Sequence, residues 1–401
     1  MSLPLEGIKV VETGGWMLAP LAARHLADMG ADVVKIENPA GGDPSRGLES
    51  IRLQPITALN YVIELDNRNK RSMTIDLRQE KGREILYGLV EKSDVFVTNF
   101  QEDVLIKLKV DYDTLNGINP RLVYATGTGW GLRGPEKHRP SFDISAFASS
   151  GLMATLGELN TPPVPSLPGM GDHITAVVMA YGIMVALFHR ERTGTGQMVH
   201  ASLLGSWIEA GGINLQQALT TEEDVPRRSR KSAVNPLWNH YETKDKNWIQ
   251  LAMLQSDPYW HDFCQATGLA ALEHDYRFSS HNLRVDHSSV LISILDQTFS
   301  SKDLSNWREQ FGKYNIIWGT INSFGEVATS PQVRANKYIV KYRHPSFGDI
   351  EAVGIPVELS KTPGQIRTTA PELGQHTEEI LLENGYTWDD IERLKEQKVI
   401  L

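Results

Sequence analysis

The first 130 residues alternate two hydrophobic periodicities, and this alternation constrains the fold more than any other feature of the chain. Short runs rich in β-branched residues predict strands at Gly7–Glu12, Asp32–Glu37, Ser72–Leu77, Asp94–Asn99 and Arg121–Thr126. Amphipathic runs between them predict helices over Leu18–Met29, Gln79–Lys92 and Val104–Leu115. Strands that alternate with helices form a parallel sheet covered on both faces, so we expect a Rossmann-like α/β domain.

Length, charge and cysteine content exclude several classes of protein. The chain has 401 residues, of which 41% are hydrophobic, and is long enough for two domains. Its 40 basic and 49 acidic residues give a net charge of −9, which argues against nucleic acid or an anionic membrane as the main partner. With Cys264 as the single cysteine and no apolar leader pattern at the start, we expect a cytoplasmic protein without an internal disulfide.

Composition changes along the chain predict a second, smaller α+β domain. The charged run Thr220–Lys231 interrupts the hydrophobic pattern and predicts a linker. After it, two strand patterns flank the turn Lys244–Asn247, and a helix over Pro258–Thr267 ends at Gly268. We therefore predict four segments: a large α/β domain at 1–219, a linker at 220–232, a small domain at 233–325, and a linker with C-terminal helices returning to the large domain at 326–401.

Asp172 is the candidate catalytic residue. It follows Gly169-Met-Gly171 and precedes the apolar run Ile174–Phe188, which predicts a buried core helix too short to span a bilayer. We expect the first-turn N–H groups of that helix to hold the carboxylate ionised, a state that suits a nucleophile. Because aspartate is also a common helix N-cap, a purely structural role stays open on these residues alone.

Sequence motifs do not predict a nucleotide-binding or metal-binding site in this chain. Gly129–Gly134 matches the dinucleotide pattern and follows a strand, but Pro135–Pro140 comes next where a pyrophosphate needs a helix N-terminus. The 12 histidines form no metal-binding motif, so we predict neither a metal nor a tightly bound cofactor. Basic residues near predicted strand ends or on helix surfaces are candidates for a phosphate site, although a solvated helix face is the more common role for any one of them; these are Lys70, Arg71, Arg78, Lys107 and Arg139.

From end to end the chain resembles the class III CoA-transferases, the group that includes formyl-CoA transferase and carnitine CoA-transferase. The resemblance is carried by the order and spacing of short pieces over roughly 370 residues. These pieces are Leu5–Glu12, Ala19–Pro20, Gly30–Glu37, Gly42–Arg46, Asn69–Ser72, Asn99–Phe100, Asn119–Arg121, Gly129–Gly131, Arg139–Asp143, Gly171–Asp172, Arg190–Gly194, Gly196–Gln197 and Leu373–Thr377.

The resemblance implies a mechanism, a substrate site and an assembly. Asp172 would attack an acyl-CoA to give an aspartyl anhydride and then an aspartyl-CoA thioester, from which a carboxylic acid acceptor would take CoA. CoA, a substrate, would contact Trp16, Met17, Leu18, Ala19, Asn38, Ile75, Arg78, Lys107 and Arg139, with Asn38 standing where relatives carry an arginine. The family forms interlocked, ring-like homodimers, and we expect the same here.

Departures from the family pattern narrow the range of expected substrates. Two alternative functions stay open. Met17 replaces the glutamine of formyl-CoA transferase, and that enzyme's glycine-rich lid is missing, which argues for the branch acting on aryl-lactates and 2-hydroxy acids. The related α-methylacyl-CoA racemase has a catalytic histidine at the position of Phe142, whose side chain cannot move a proton. A non-catalytic acyl-CoA-binding protein, in which Asp172 only caps its helix, is the second alternative.

Overall fold

The computed structural model describes residues 2–51 and 57–401. The chain forms two compact units. The larger unit comprises Met1–Met153, Pro165–Glu223 and Arg334–Leu401, and the smaller one comprises Ala154–Val164 and Asp224–Val333. Residues 154–164 thus belong to the smaller unit, although no pattern in the sequence separates them from the segments on either side.

A six-stranded parallel sheet is the centre of the larger unit. Its strands are β1 (Lys9–Glu12), β2 (Asp32–Glu37), β3 (Lys70–Thr74), β4 (Val95–Thr98), β5 (Val123–Thr128) and β6 (Met198–Ser202). They lie in the order β3-β2-β1-β4-β5-β6, and every neighbouring pair is parallel. The predicted Rossmann-like α/β domain is confirmed, and the order of the strands reverses direction between β1 and β4.

The helices of the first 221 residues connect these strands or follow the last of them. They are α1 (Leu18–Asp28), α2 (Tyr61–Asn67), α3 (Glu80–Glu91), α4 (Glu102–Leu108), α5 (Tyr112–Ile118), α6 (Asp143–Ser149), α7 (Leu152–Thr155), α8 (Met170–Thr193), α9 (Leu203–Ala210) and α10 (Gly212–Thr221). The single helix predicted over Val104–Leu115 is wrong. Lys109 turns the chain with a φ of 56°, and Asp111 starts a new helix by accepting a hydrogen bond from the Thr114 amide at 3.1 Å.

Alternating side chains of the strands build one hydrophobic core on each face of the sheet. Val10 packs with α1 and α8 on one face, whereas its neighbour Val11 packs with α3 on the other. Two C-terminal helices, α18 (Thr377–Glu383) and α19 (Trp388–Glu396), contribute buried side chains to this second core.

Helix α8 is longer and less buried than its sequence predicts. It begins at Met170 rather than Ile174, and Met179 and Ile183 are fully buried in the core. Tyr181 and Phe188, in contrast, are 71% and 65% exposed, so the prediction of a buried helix is wrong for its outer face. Among the described residues, α8 is also the one helix long and apolar enough to cross a membrane by length and composition, a test that core helices pass as well.

Buried polar contacts attach the segment after residue 352 to the larger unit. This segment begins at the end of the hairpin formed by β10 (Ile339–His344) and β11 (Gly348–Val353). The fully buried Arg68 donates to the Val353 carbonyl at 2.6 Å and pairs with Asp28 at 2.8 Å. The Asn69 side chain accepts hydrogen bonds from the amides of Arg367 and Thr368. These bonds fix the path of the chain towards α18.

The smaller unit is an α+β structure with its own aromatic core. Its antiparallel sheet has the order β7-β8-β9, with strands at His240–Glu242, Trp248–Leu251 and Trp318–Thr320. The predicted hairpin is confirmed. The helix predicted over Pro258–Thr267 also ends at Gly268, as expected. The helices from here to the β10 hairpin are α11 (Trp260–Thr267), α12 (Ala270–Glu273), α13 (His281–Asp286), α14 (Ser288–Phe299), α15 (Leu304–Phe311), α16 (Phe324–Thr329) and α17 (Pro331–Ala335).

Candidate active site

A cavity of about 940 Å³ opens at the carboxyl ends of the strands in the larger unit. It is lined by the segments that follow β1, β4 and β5 and by the turn that leads into α8. In open parallel sheets, ligands bind where the strand order reverses, which here lies between β1 and β4. This cavity therefore coincides with the position that the topology of the sheet favours for a ligand.

Asn99 ties together the two segments at this switch point. Its side-chain oxygen accepts a hydrogen bond from the Gly15 amide at 3.0 Å, and its side-chain nitrogen donates to the Gly15 carbonyl at 2.8 Å. A Cβ on the adjacent Gly14 would overlap with Ala19 and approach Asn99, so only glycine fits there. Our prediction of the site omitted Asn99, although a polar residue directly after β4 is a usable signal.

Trp16 and Phe142 form an apolar wall of the cavity. Trp16 has a φ of 61°, a backbone conformation that is unfavourable for a bulky residue. Its amide donates a hydrogen bond to Asp43 Oδ1 at 3.0 Å, which holds this conformation. The indole meets the Phe142 ring edge to face, with ring centroids 5.9 Å apart, and the Phe142 side chain is 66% exposed.

A buried cluster of charges supports the segment that carries Trp16. The Lys35 ammonium, fully buried, contacts Glu12 at 2.7 Å and Asp43 at 2.8 Å. Lys70 bonds to the other oxygen of Glu12 at 2.7 Å, and burial lowers the pKa of Lys70 to about 8. Lys70 is therefore not available for a phosphate, contrary to prediction. The same holds for Arg71, which pairs with Asp32 and with two glutamates of α18.

Asp172 lines the cavity as the third residue of α8. The cap position is taken by Gly169, whose φ of 75° favours glycine, so Asp172 is not an N-cap. Burial, and secondarily the charge of Asp143, raises the pKa of Asp172 to about 7. The expectation that the first turn keeps this carboxylate fully ionised is wrong. A carboxylate with such a pKa is more basic than usual, and about half of it is ionised at neutral pH.

Asp143 lies behind the first turn of α8 and also lines the cavity. Its carboxylate accepts hydrogen bonds from the Gly171 amide at 2.9 Å and from the Trp207 indole nitrogen at 2.7 Å. A Cβ on Gly171 would overlap with both partners, which explains the glycine before Asp172. The site residues predicted from the sequence do not include Asp143.

Comparison with known proteins identifies the family. The sequence pattern of CoA-transferase family III matches residues 5–377. The chain belongs to CoA-transferase family III. It is 33% identical over 400 residues to a cinnamoyl-CoA:phenyllactate CoA-transferase from Clostridium sporogenes, with 99% of this chain and 97% of that protein covered. It is 32% identical over 398 residues to an (R)-2-hydroxy-4-methylpentanoate CoA-transferase from Clostridioides difficile, with 99% of each covered.

Solved structures agree with this assignment. A CaiB/BaiF family protein from Brucella suis superimposes with a TM-score of 0.84 at 28% identity, covering 96% of this chain and 100% of that one. The protein is thus an enzyme that transfers CoA between an acyl-CoA and a carboxylate. The resemblance to the branch acting on aryl-lactates and hydroxy acids is confirmed by the two curated relatives.

The cavity of this CoA-transferase contains some of the predicted CoA contacts but not others. Those that line it are Trp16, Met17, Leu18 and Arg139. The others lie outside the lining: Ala19 and Ile75 are buried, whereas Asn38, Arg78 and Lys107 are exposed. Arg139 stacks on Trp130 at 4.8 Å and pairs with Glu136 at 2.6 Å, and the exposed Arg78 pairs with Asp76.

In the described part of the chain, neither the Gly129–Gly134 motif nor the metal-ligating residue types form a recognisable nucleotide or metal site. Gly129 and Gly131 line the cavity, but turns and bends, not a helix, follow them as far as Pro140. In the described ranges, 2–51 and 57–401, no three His, Cys, Asp or Glu side chains come together in a way that could hold a metal ion.

Proposed function

We propose that this enzyme transfers CoA through covalent intermediates on Asp172. One observation carries the proposal: Asp172 reaches the cavity at the switch point of the sheet, and its pKa is raised to about 7. A carboxylate of raised pKa is a stronger nucleophile than an ordinary one and can still be ionised at neutral pH. No proton has to be removed in the reaction, so a carboxylate can act here without a general base.

In the first half-reaction, a carboxylate oxygen of Asp172 attacks the donor thioester. The carbon–sulfur bond breaks, CoA leaves as a thiolate, and an aspartyl-acyl anhydride forms. The thiolate then attacks the aspartyl carbonyl, which releases the donor acid and leaves an Asp172–CoA thioester. The acceptor acid reverses these steps, so each turnover conserves one thioester, and an anhydride is activated enough to connect the two.

We assign the CoA moiety to the side of the cavity formed by Met17, Leu18 and the 137–139 turn. That turn provides Lys137 and Arg139, whose cationic side chains suit a ligand with several phosphates, and His138 lies between them. The exposed Asn38, Arg78 and Lys107 remain proposed contacts of the CoA phosphates, and Ala19 and Ile75 remain proposed neighbours of CoA through their backbone. None of these groups is required for the covalent steps themselves.

The acceptor that fits the apolar wall of Trp16 and Phe142 is an acid with an aryl or branched-alkyl side chain. Trp16 and Phe142 place aromatic surface at the cavity, and Leu132, Ile144 and Leu167 extend it with aliphatic surface. Burial of an aromatic or leucine-sized group against such a wall contributes about 1.5–3 kcal/mol. The named substrates of the two curated relatives, phenyllactate and 2-hydroxy-4-methylpentanoate, carry side chains of this kind.

We further propose that the enzyme works as an interlocked homodimer. The outer face of α8 exposes Tyr181 and Phe188, and α10 exposes Ile213 at 87%, and large exposed apolar side chains are typical of protein–protein contact surfaces. Light scattering should therefore give twice the chain mass at all concentrations at which the chain stays folded, because interlocked chains cannot part without unfolding. A concentration-dependent monomer that remains folded would contradict the interlocked arrangement.

Trapping the intermediate tests the role of Asp172. The enzyme is mixed with cinnamoyl-CoA, treated with hydroxylamine or borohydride, digested and analysed by mass spectrometry. We expect a donor-dependent modification on the peptide containing Asp172 and none in Asp172→Asn, which retains the shape of the side chain. Modification of a different residue, or full transfer by Asp172→Asn, would refute the proposal.

A panel of acids tests the proposed acceptor class. Phenyllactate and 2-hydroxy-4-methylpentanoate are compared with succinate, malate and glutarate as acceptors. We expect the first two to be preferred in kcat/KM, and Phe142→Ala to reduce that preference roughly ten- to hundredfold, the equivalent of about 1.5–3 kcal/mol. Trp388→Ala is the matched control, because Trp388 is 58% exposed and lies outside the cavity lining. An equal loss with all acids in Phe142→Ala would contradict the assignment.

A further inference from the structure

We propose that Asp143 is a positioning residue that fixes the first turn of α8 and thereby the placement of Asp172 in the cavity. The inference rests on the proposed role of Asp172. Asp143 is the first residue of α6 and directly follows Phe142 of the cavity wall. It is separated from Gly171 by 28 residues in sequence, so its contact with α8 exists only in the folded chain.

Both oxygens of the Asp143 carboxylate are used in joining three helices. Oδ2 accepts the hydrogen bond from the Gly171 amide of α8, and Oδ1 accepts the one from the Trp207 indole of α9, at 2.9 and 2.7 Å. Asp143 is 7% exposed and Trp207 is 3% exposed. Buried hydrogen bonds to a charged acceptor are stronger than neutral ones, and an unmet donor at either position would be costly.

The site is built for a carboxylate rather than for an amide. Both partners are N–H donors, and an asparagine offers one acceptor oxygen and one NH2 group. An asparagine at position 143 would therefore leave either the Gly171 amide or the Trp207 indole facing another donor. Trp207 has little freedom to adjust, because its ring packs against Phe147 with centroids 4.7 Å apart.

The contact reaches Asp172 through the backbone. Gly171 is the residue immediately before Asp172, and the absence of a Cβ lets the Asp143 carboxylate and the Trp207 indole lie directly against it. At the start of the same turn, Gly169 lies against Met17 from the segment after β1. The turn is thus held on both sides, and a reacting carboxylate placed about 1 Å away from its productive position loses roughly 100-fold in rate.

Asp143 also acts on Asp172 through its charge. The other ionisable groups around the first turn are His173 on α8 and Arg24 and His25 on α1. Burial lowers the pKa of both histidines, to about 3 in the case of His25, so neither carries a charge at neutral pH. After burial, the Asp143 carboxylate is the second cause of the raised pKa of Asp172, and removing its charge should lower that pKa.

The test is Asp143→Asn in the full-length enzyme, measured with the best donor and acceptor of the acid panel. We expect kcat to fall roughly ten- to hundredfold. We also expect the acid limb of the kcat/KM profile to move to lower pH, because one negative charge near Asp172 is gone. Trp207→Phe removes one hydrogen bond but keeps the charge, so kcat should fall while the limb does not move to lower pH.

Two controls separate this role from a loss of stability and from failure of the proposed function. Asp111→Ala removes the N-cap hydrogen bond of α5, away from the cavity, and should change neither kcat nor the pH of the acid limb. The inference would be overturned if Asp143→Asn left both kcat and the pH of the acid limb of the kcat/KM profile unchanged. If that variant does not fold, full kcat in Trp207→Phe would overturn it instead. Transfer by Asp172→Asn would refute the covalent role itself, whatever the Asp143 variants show.

Discussion

The raised pKa of Asp172 makes the stability of the enzyme depend on pH in a way that one substitution removes. In the unfolded chain this carboxyl group titrates near 3.8, and in the folded chain at about 7. Between these values the folded state binds more protons than the unfolded state, so stability falls as pH rises from about 4 to about 7 and then stays constant. Asp172→Asn abolishes this dependence, because the amide does not titrate.

The size of the effect follows from the pKa difference. Three pKa units correspond to at most about 4 kcal/mol, which is the cost of ionising Asp172 in the folded enzyme above pH 7. At pH 5, where the folded group is still protonated, the cost is only about 1.5 kcal/mol. Asp172→Asn should therefore stabilise the protein relative to wild type by about 2–3 kcal/mol more at pH 8.5 than at pH 5.

Urea denaturation of both proteins, at one protein concentration and at a series of pH values, measures this difference. Other titrating groups cancel in the comparison because both proteins share them. A difference between variant and wild type that is the same at pH 5 and pH 8.5 would show that Asp172 has an ordinary pKa in the folded enzyme. The reasoning about its nucleophilicity would then fail as well.

Two further predictions concern the surroundings of the site. Gly171→Ala should destabilise the protein by about 1–3 kcal/mol in thermal unfolding, because the new methyl group overlaps with Asp143 and Trp207. Gly88→Ala, in α3 with open space around it, should instead stabilise by about 0.5–1 kcal/mol, and equal effects of the two would contradict the argument. Lys35→Met should cost about 3–5 kcal/mol in urea denaturation, since it leaves Asp43 buried without its cation and Glu12 with Lys70 alone. A loss below about 1 kcal/mol, the usual value of a surface ion pair, would show that the cluster does not support the Trp16 segment.

The alternation of strand and helix patterns was sufficient to predict the parallel sheet, because burial on both faces gives its strands near-continuous apolar runs. Local sequence signals were less reliable where the same spacing of apolar residues is compatible with two different structures. Val104–Leu115 keeps helical spacing throughout, yet Lys109 breaks it and the Asp111–Thr114 cap restarts it. The apolar run of α8 indicated burial but could not show that Tyr181 and Phe188 face outwards.

Only those parts of the site that are recognisable from neighbouring residues in the sequence could be predicted. Asp172 and the Trp16 segment follow from their position and from resemblance to the family. The contacts of Asp143 bridge 28 and 64 residues, to Gly171 and Trp207, and nothing local marks a carboxylate that will accept two such bonds. The raised pKa of Asp172 is likewise a product of burial and of a charge brought near by folding. Such properties belong to the tertiary structure and have no local sequence signal.

The central claim, that Asp172 exchanges an oxygen with both acids, is tested most directly by isotope transfer. The enzyme is first charged with CoA from the donor, and then completes one turnover with an acceptor acid whose carboxylate carries ¹⁸O. The acceptor oxygen bridges the anhydride and stays on the aspartate when the CoA thiolate attacks the acceptor carbonyl, so the peptide containing Asp172 should gain one heavy oxygen. In a second turnover with unlabelled substrates, that oxygen should appear in the released donor acid. Product formation without label on Asp172 would contradict the covalent mechanism.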